Sequence, residues 1–204
     1  MIHLQALSNP RWLRLVLVLL CGAACESPFS TRTPEPPDEA ASSFIEPTTP
    51  DDVFLNMQIA FSERNGENYM RSFVDSTRSE RRFEFVPDQG VAASQPGTFS
   101  NWDLTDERRY FVQMLQATQA DSLIRLSFAT KRRNETATTA RFTQDYTIIV
   151  RHSRQTERSQ GQATGQARFF LASDDDGDWA IYRWEDFRTD NEQLSWSDLK
   201  AFFQ

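Results

Sequence analysis

Apolar and polar residues alternate with a period of two through the C-terminal half of the chain, and this pattern most limits its fold. Residues 163–187 form a ribbon of two apolar strands joined by the acidic turn at residues 174–178, and residues 122–130 and 140–152 alternate in the same way. Such alternation predicts antiparallel strands with one covered face. On that face we expect Ile124, Leu126, Phe128, Phe142, Tyr146, Ile148, Val150, Ala163, Gly165, Ala167, Phe169, Leu171, Trp179, Ile181 and Phe187, with Trp184 on the other face.

The preceding segment has helical patterning. Thr49 can cap a helix that begins with Pro50, and its apolar face continues until Asn65-Gly66 ends it. A second short helix through Tyr69 is predicted to close at residues 75–76. Phe83 and Phe85 predict a short strand, residues 87–101 a loop, residues 106–119 a third helix and residues 195–202 a last one. Helices followed by a meander of long strands predict a single α+β domain over residues 49–204.

The first 24 residues have the features of an export signal. Arg11 and Arg14 supply positive charge, residues 13–20 form a short apolar core, and the small residues Ala23 and Ala24 follow it. The apolar run is shorter than the roughly 20 residues that a membrane-spanning helix needs. We therefore predict a signal peptide over residues 1–24, with a buried core helix as the alternative.

Cys25 would become the first residue after cleavage. The segment Gly22-Ala23-Ala24-Cys25 resembles the lipobox of bacterial lipoproteins, although Gly22 stands where Leu is usual. The resemblance implies a lipid on the Cys25 sulfur, palmitate among its acyl chains, which would anchor the protein stably to the bacterial cell envelope. Glu26 rather than Asp at the next position favours the outer membrane, facing the periplasm. The alternative is an ordinary secretory signal with an incidental cysteine.

Residues 25–48 are rich in proline, serine, threonine and glutamate. Such a composition buries too little apolar surface to fold alone, so it predicts a disordered tether. Phe44 and Ile45 are its apolar residues nearest the domain, and we expect both to contact it.

The acidic balance of the chain excludes some partners. A formal net charge of −7 argues against nucleic acid and against electrostatic docking on anionic lipid. His152 would be the sole histidine after cleavage, which disfavours zinc sites built on several histidines. In a calcium-loop alignment, Ala172 and Arg183 would occupy ligand positions, so residues 174–178 predict a hairpin turn. We predict no metal and no cofactor.

The order of helix, short helix, strand, helix and long antiparallel strands resembles the nuclear transport factor 2-like superfamily, also called cystatin-like α+β. The segments PTTPDDVFLNMQIAFSERNGENYMRSFVDS and DDDGDWAIYRWEDF resemble lipoproteins with this fold, and the similarity covers about residues 46–203. It implies a curved antiparallel sheet wrapped around N-terminal helices, with a conical pocket. Because this fold hosts enzymes, transport adaptors and assembly factors, the resemblance does not fix a function.

Isomerases of the ketosteroid type use an Asp base with a Tyr donor, and dehydratases of the fold use a His–Asp dyad. Tyr69, Tyr146 and His152 are the candidate pocket residues, with Tyr110, Asp103 and Tyr182 as further candidates. No catalytic set stands out among them. In residues 183–186, Arg183 and its acidic neighbours are expected to form cross-strand ion pairs, for example with Arg168 or Arg151.

Three functions remain open from the sequence. The favoured one is a membrane-anchored, non-catalytic lipoprotein whose domain binds an envelope protein partner or a small apolar ligand. The second is a pocket enzyme of the ketosteroid isomerase or dehydratase kind, acting on a small hydrophobic substrate. The third is a structural module that forms a homodimer through its sheet.

Overall fold

The computed structural model describes residues 43–153 and 161–204. The predicted signal peptide, Cys25 and most of the predicted tether lie outside these residues. The helices are α1 (Pro50–Glu63), α2 (Gly66–Met70), α3 (Gln89–Ser94), α4 (Leu104–Gln116) and α5 (Trp196–Phe202), and the strands are β1 (Glu84–Val86), β2 (Ile124–Glu135), β3 (Thr139–Val150), β4 (Gln162–Ser173) and β5 (Trp179–Phe187).

The strands form one curved sheet in the order β1-β5-β4-β3-β2. Successive strands from β2 to β5 pair antiparallel with one another, and the short β1 pairs parallel with β5. The covered face carries the alternating apolar residues: Phe142, Ile148, Phe169 and Ile181 are all fully buried. The sequence prediction of an α+β fold, with a curved antiparallel sheet around N-terminal helices, is confirmed.

β5 departs from simple alternation at Tyr182. Phe170 pairs with Arg183 and Leu171 pairs with Ile181, so Tyr182 is an extra residue without an opposite partner. This β-bulge shifts the following side chains by one position. Trp184 therefore lies buried on the covered face together with Trp179, and Phe187 is 37% exposed. The predictions for Trp184 and Phe187 were both wrong for this reason.

The helices begin close to the predicted positions but differ in their ends. Thr49 caps α1 through a capping box with Asp52. α1 ends earlier than predicted, because Arg64 adopts a left-handed conformation (φ 56°) and Asn65 caps α2 instead. α2 likewise ends at Met70. The predicted loop at 87–101 contains α3, and the amide groups of Gly90 and Val91 in its first turn donate to the Asp88 side chain.

Residues 43–48 are bound to the side of the domain. The Asn56 side chain accepts a hydrogen bond from the Ile45 amide (2.9 Å) and donates one to the Ile45 carbonyl (2.6 Å). The Trp179 amide donates to the Pro47 carbonyl, and the Arg71 guanidinium lies 3.4 Å from the centre of the Phe44 ring. The prediction that Phe44 and Ile45 contact the domain is confirmed.

Candidate functional site

The concave side of the sheet is occupied by the protein's own C-terminal helix. Ser195 caps α5 through a capping box with Asp198, and this start directs the Trp196 side chain into the sheet. The Trp196 ring lies 4.3 Å from the Trp184 ring and 5.1 Å from the Tyr146 ring, measured between centroids, and it is fully buried. Where the resemblance implied a conical pocket, the structure therefore has an indole side chain.

Glu107 of α4 is the acidic centre of this interior. Its carboxylate accepts hydrogen bonds from the Tyr69 hydroxyl (2.6 Å) and the Trp102 indole (2.8 Å). It also forms an ion pair with Lys200 of α5, and the side chains of both members of the pair are 0% exposed. A buried carboxylate is tolerated because these three donors replace its hydration.

Aromatic rings surround the Lys200 ammonium group. Its nitrogen lies 3.8 Å from the centre of the Trp184 ring and 3.9 Å from that of Phe85. The negative faces of aromatic rings attract cations, so the rings and Glu107 together offset part of the lost hydration. Burial nevertheless lowers the pKa of Lys200 to about 8, against the opposing effect of the Glu107 charge.

Asp186 of β5 joins the sheet to α5. It accepts from the Tyr146 hydroxyl (2.8 Å), the Ser197 amide (2.7 Å) and the Ser197 hydroxyl (2.6 Å). The Tyr146 oxygen in turn accepts from the Trp196 amide at 2.7 Å. Burial raises the pKa of Asp186, while these donors oppose the increase.

Tyr110 lies near the charges of both Glu107 and Asp186, and its hydroxyl accepts a hydrogen bond from the Trp196 indole at 3.0 Å. Burial, followed by the nearby negative charges, raises the pKa of Tyr69, Tyr110 and Tyr146 well above the ordinary value. The three tyrosines therefore stay neutral and serve as hydrogen-bond bridges. A general base needs a position beside the substrate proton, and here the carboxylates of Glu107 and Asp186 are already hydrogen-bonded to other buried side chains.

The predicted pocket residues lie in this packed interior. Tyr69 and Tyr146 are components of the network, and the ring of His152 packs against Phe203 at 4.8 Å and Phe202 at 5.4 Å between centroids. Of the further candidates, Tyr110 joins the network and Asp103 caps α4. Tyr182 lies on the outer face of the sheet beneath the Arg81 guanidinium.

The acidic turn and one cross-strand ion pair agree with the sequence predictions. Gly177 has a φ of 91°, and the turn is closed by a hydrogen bond from the Asp174 amide to the Asp178 carbonyl. Arg78 forms ion pairs with Asp174, Asp176 and Asp178, all at 3.1 Å or less. Arg168 pairs with Glu185 at 2.9 Å, as the cross-strand prediction stated.

Sequence reasoning missed Glu107 and Lys200, because charged residues on helices are mostly solvated. Their helical phase contains the missing signal. Glu107 precedes Tyr110, Phe111 and Met114 by three, four and seven positions, and Lys200 follows Trp196 by four. Each charge therefore stands within an apolar stripe.

The described surface has open grooves away from this interior. One of about 520 Å³ is lined by Phe44, Met70, Arg71, Arg108 and Trp179, among others. In residues 43–153 and 161–204 no group of three metal-ligating side chains comes together, and no helix in that part is long and apolar enough to span a bilayer.

Comparison with known proteins supports the architecture. No known protein family matches the sequence, and no curated protein matches it. A solved protein from Planctomyces limnophilus has a TM-score of 0.50 at 13% identity, covering 67% of this chain and 91% of its own. A cystatin-like protein from Nostoc punctiforme has 0.44 at 11% identity (67% and 86% covered), and a ketosteroid isomerase-like protein from Erwinia carotovora atroseptica has 0.46 at 12% (71% and 97%).

The chain therefore has an α+β fold in which helices pack against a curved five-stranded sheet, and it shares this fold with the Planctomyces limnophilus protein. At such low identity the similarity concerns the fold alone.

Proposed function

We propose that this protein is a membrane-anchored lipoprotein of the bacterial envelope, whose domain binds its partner on the outer surface and performs no catalysis inside the cone. The observation that carries the second half is the occupancy of the cone by Trp196 and Lys200. Both side chains are fully buried, the Trp196 indole donates to the Tyr110 hydroxyl, and Lys200 forms an ion pair with Glu107.

A filled interior argues against an enzyme of the ketosteroid isomerase kind. Admitting a substrate would require α5 to leave, which exposes an indole and breaks the Lys200–Glu107 pair and the Asp186–Ser197 hydrogen bonds. Leaving one member of a buried ion pair alone costs about 3–5 kcal/mol. A small apolar ligand inside the cone would carry the same cost. We therefore propose that the ligand or envelope partner binds on the outer surface of the domain.

The anchoring half is supported by the export signal and by Cys25 in its lipobox-like context. The full chain is expressed in a bacterium fed labelled palmitate, and its membrane fraction is examined. We expect the wild type in the membrane with label, and Cys25→Ser unlabelled and released. Cys21→Ser is the matched control, because it removes the other cysteine and should stay anchored. Label retained by Cys25→Ser would contradict the proposal.

The filled cone is tested with indole, the side-chain group of Trp196. We expect indole to leave the thermal midpoint of the wild type unchanged and to raise that of Trp196→Ala, because truncation opens a cavity and costs about 3–5 kcal/mol. Trp196→Phe serves as a milder variant if the alanine form does not fold. Stabilisation of the wild type by indole would show a pre-existing internal site and favour the enzyme.

A further inference from the structure

The outer face of the sheet carries a pocket lined largely by arginine. Its volume is about 560 Å³, and the residues around it are Arg132, Arg133, Asn134, Arg141, Thr143 and Arg168. These side chains come from the adjacent strands β2, β3 and β4, in a chain whose formal net charge is −7. The cluster is thus locally opposite in sign to the whole molecule.

The strand register places the cations around one hydroxyl. Thr143 of β3 pairs with Arg132 of β2 on one side and with Arg168 of β4 on the other. Arg141 lies two residues before Thr143 on the same face of β3. Neighbouring strands are about 4.8 Å apart, and alternate residues of one strand about 6.8 Å. Three flexible guanidinium groups can therefore converge above Thr143.

Two of these charges have no acidic partner in the described part of the chain. Arg168 pairs with Glu185, and Arg133 pairs with Asp51 and Glu135. For Arg132 and Arg141 no ion pair occurs within residues 43–153 and 161–204.

The nearest acids on that face are already engaged. Asp145 is bound to Lys131 at 2.8 Å, and Glu185 also pairs with Arg183 at 2.9 Å. Like charges close together on a sheet face repel and lower stability. A bound dianion would remove this repulsion.

We propose that this pocket binds a phosphomonoester group. Such a group carries about −1.5 to −2 charge at neutral pH, which matches the two unpaired guanidinium groups. Arginine binds phosphate oxygens through paired N–H donors, and the Thr143 hydroxyl and Asn134 amide supply further donors. A carboxylate carries one charge and leaves half of the site uncompensated.

The proposal deepens the proposed function by naming the ligand chemistry of the outer surface. Phosphate binding itself does not require the membrane anchor; the anchor matters only to whether the phosphate belongs to a lipid. A lipid headgroup and a soluble phosphoester present the same group, so the experiment separates the two sources.

Binding is measured on the full chain carrying Cys25→Ser, so that no lipid anchor contributes. The soluble probe is glycerol 3-phosphate, and its binding is measured by titration calorimetry. The membrane probes are phosphatidylcholine vesicles containing phosphatidic acid, a phosphomonoester, or phosphatidylglycerol, a phosphodiester. Arg132→Gln/Arg141→Gln empties the pocket of its unpaired charges. Arg82→Gln/Arg125→Gln removes two exposed arginines elsewhere, with the same change of net charge.

We expect the pocket variant to weaken binding of the phosphomonoester by about tenfold or more, and the control variant by less than about twofold. Cosedimentation with phosphatidic acid vesicles above that with phosphatidylglycerol identifies a lipid source. Binding of glycerol 3-phosphate without cosedimentation identifies a soluble one. Absence of binding to both phosphomonoesters, equal loss in the two variants, or tighter binding of a glutamate-rich peptide would overturn the proposal, whether or not Cys25 anchors the chain.

Discussion

At the scale of single residues, the buried carboxylates depend on hydrogen-bond donors that the protein itself supplies. Asp186 shows the principle, because its two carboxylate oxygens receive three hydrogen bonds from Tyr146 and Ser197. Replacing the carboxylate by an amide changes an acceptor into a donor that faces other donors. The cost of such a mismatch exceeds that of losing one hydrogen bond.

We therefore expect Asp186→Asn to lower the free energy of unfolding by about 1–3 kcal/mol. The measurement is urea denaturation followed by tryptophan fluorescence. Asp175→Asn is the matched control, since Asp175 is exposed in the hairpin turn and should change stability little. Equal midpoints for the two variants would mean that the Asp186 bonds contribute nothing net.

At this scale the sequence could predict which side chains of the site are buried, but not which groups they contact. Tyr69, Tyr146 and His152 were identified as inward-facing, and the structure does bury them. Their function as hydrogen-bonding or packing groups could not be read from spacing, because their partners Glu107, Asp186 and the last helix are remote along the chain. Pairing across such separations is decided by tertiary packing.

At the scale of elements, alternation predicted β3 and β4 well, since every inward position there is apolar or small with the exception of Gln144. β5 was predicted less well, because one extra residue at Tyr182 reverses the faces beyond it. A bulge leaves no mark in the hydrophobic pattern other than a displaced phase. α3 was missed for a different reason: six residues with Gly90 among them give too little periodicity.

Gly165 shows how closely β4 approaches its neighbours. A Cβ atom there would collide with the Tyr146 hydroxyl and lie 2.8 Å from the Phe187 carbonyl oxygen. Gly165→Ala would displace Tyr146 from Asp186 and Trp196, so we expect a loss of about 3 kcal/mol in the free energy of unfolding. Urea denaturation measures it, and adding Tyr146→Phe should recover part of the loss.

The matched control for this element is Gly66→Ala at the start of α2. A Cβ there would meet Phe111 at an ordinary 3.8 Å, so the change should be neutral or stabilising by up to about 1 kcal/mol. If Gly165→Ala changed the free energy of unfolding as little as Gly66→Ala, the close contact between Gly165 and Tyr146 would be contradicted.

At the scale of the whole molecule, the burial of Lys200 makes the free energy of unfolding vary with pH in the alkaline range. The pKa of Lys200 is about 8 in the folded protein against an ordinary value of 10.5. Below about pH 8 both states carry the proton, and the cost of burying the charge is fully present. Above it the unfolded state binds more protons, so the free energy of unfolding rises with pH.

We expect this rise between pH 8 and pH 10, and it should reach about 2 kcal/mol. Above pH 10.0, the ordinary value for tyrosine, the raised pKa of Tyr69, Tyr110 and Tyr146 acts in the opposite direction. The measurement compares urea denaturation of the wild type with that of Lys200→Met/Glu107→Gln, in which the pair is removed. A constant difference between the two proteins across this range would contradict the low pKa.

The two hydrogen bonds between the Asn56 side chain and the Ile45 backbone also have a mechanical consequence. Tension applied to the chain ahead of Ser43 would load the Phe44–Arg71 contact first, and then the hydrogen bonds of Ile45 and Pro47. These contacts would be loaded before any core side chain moves. Tension from the proposed membrane anchor would therefore break a few hydrogen bonds that can re-form, while the core of the domain stays packed.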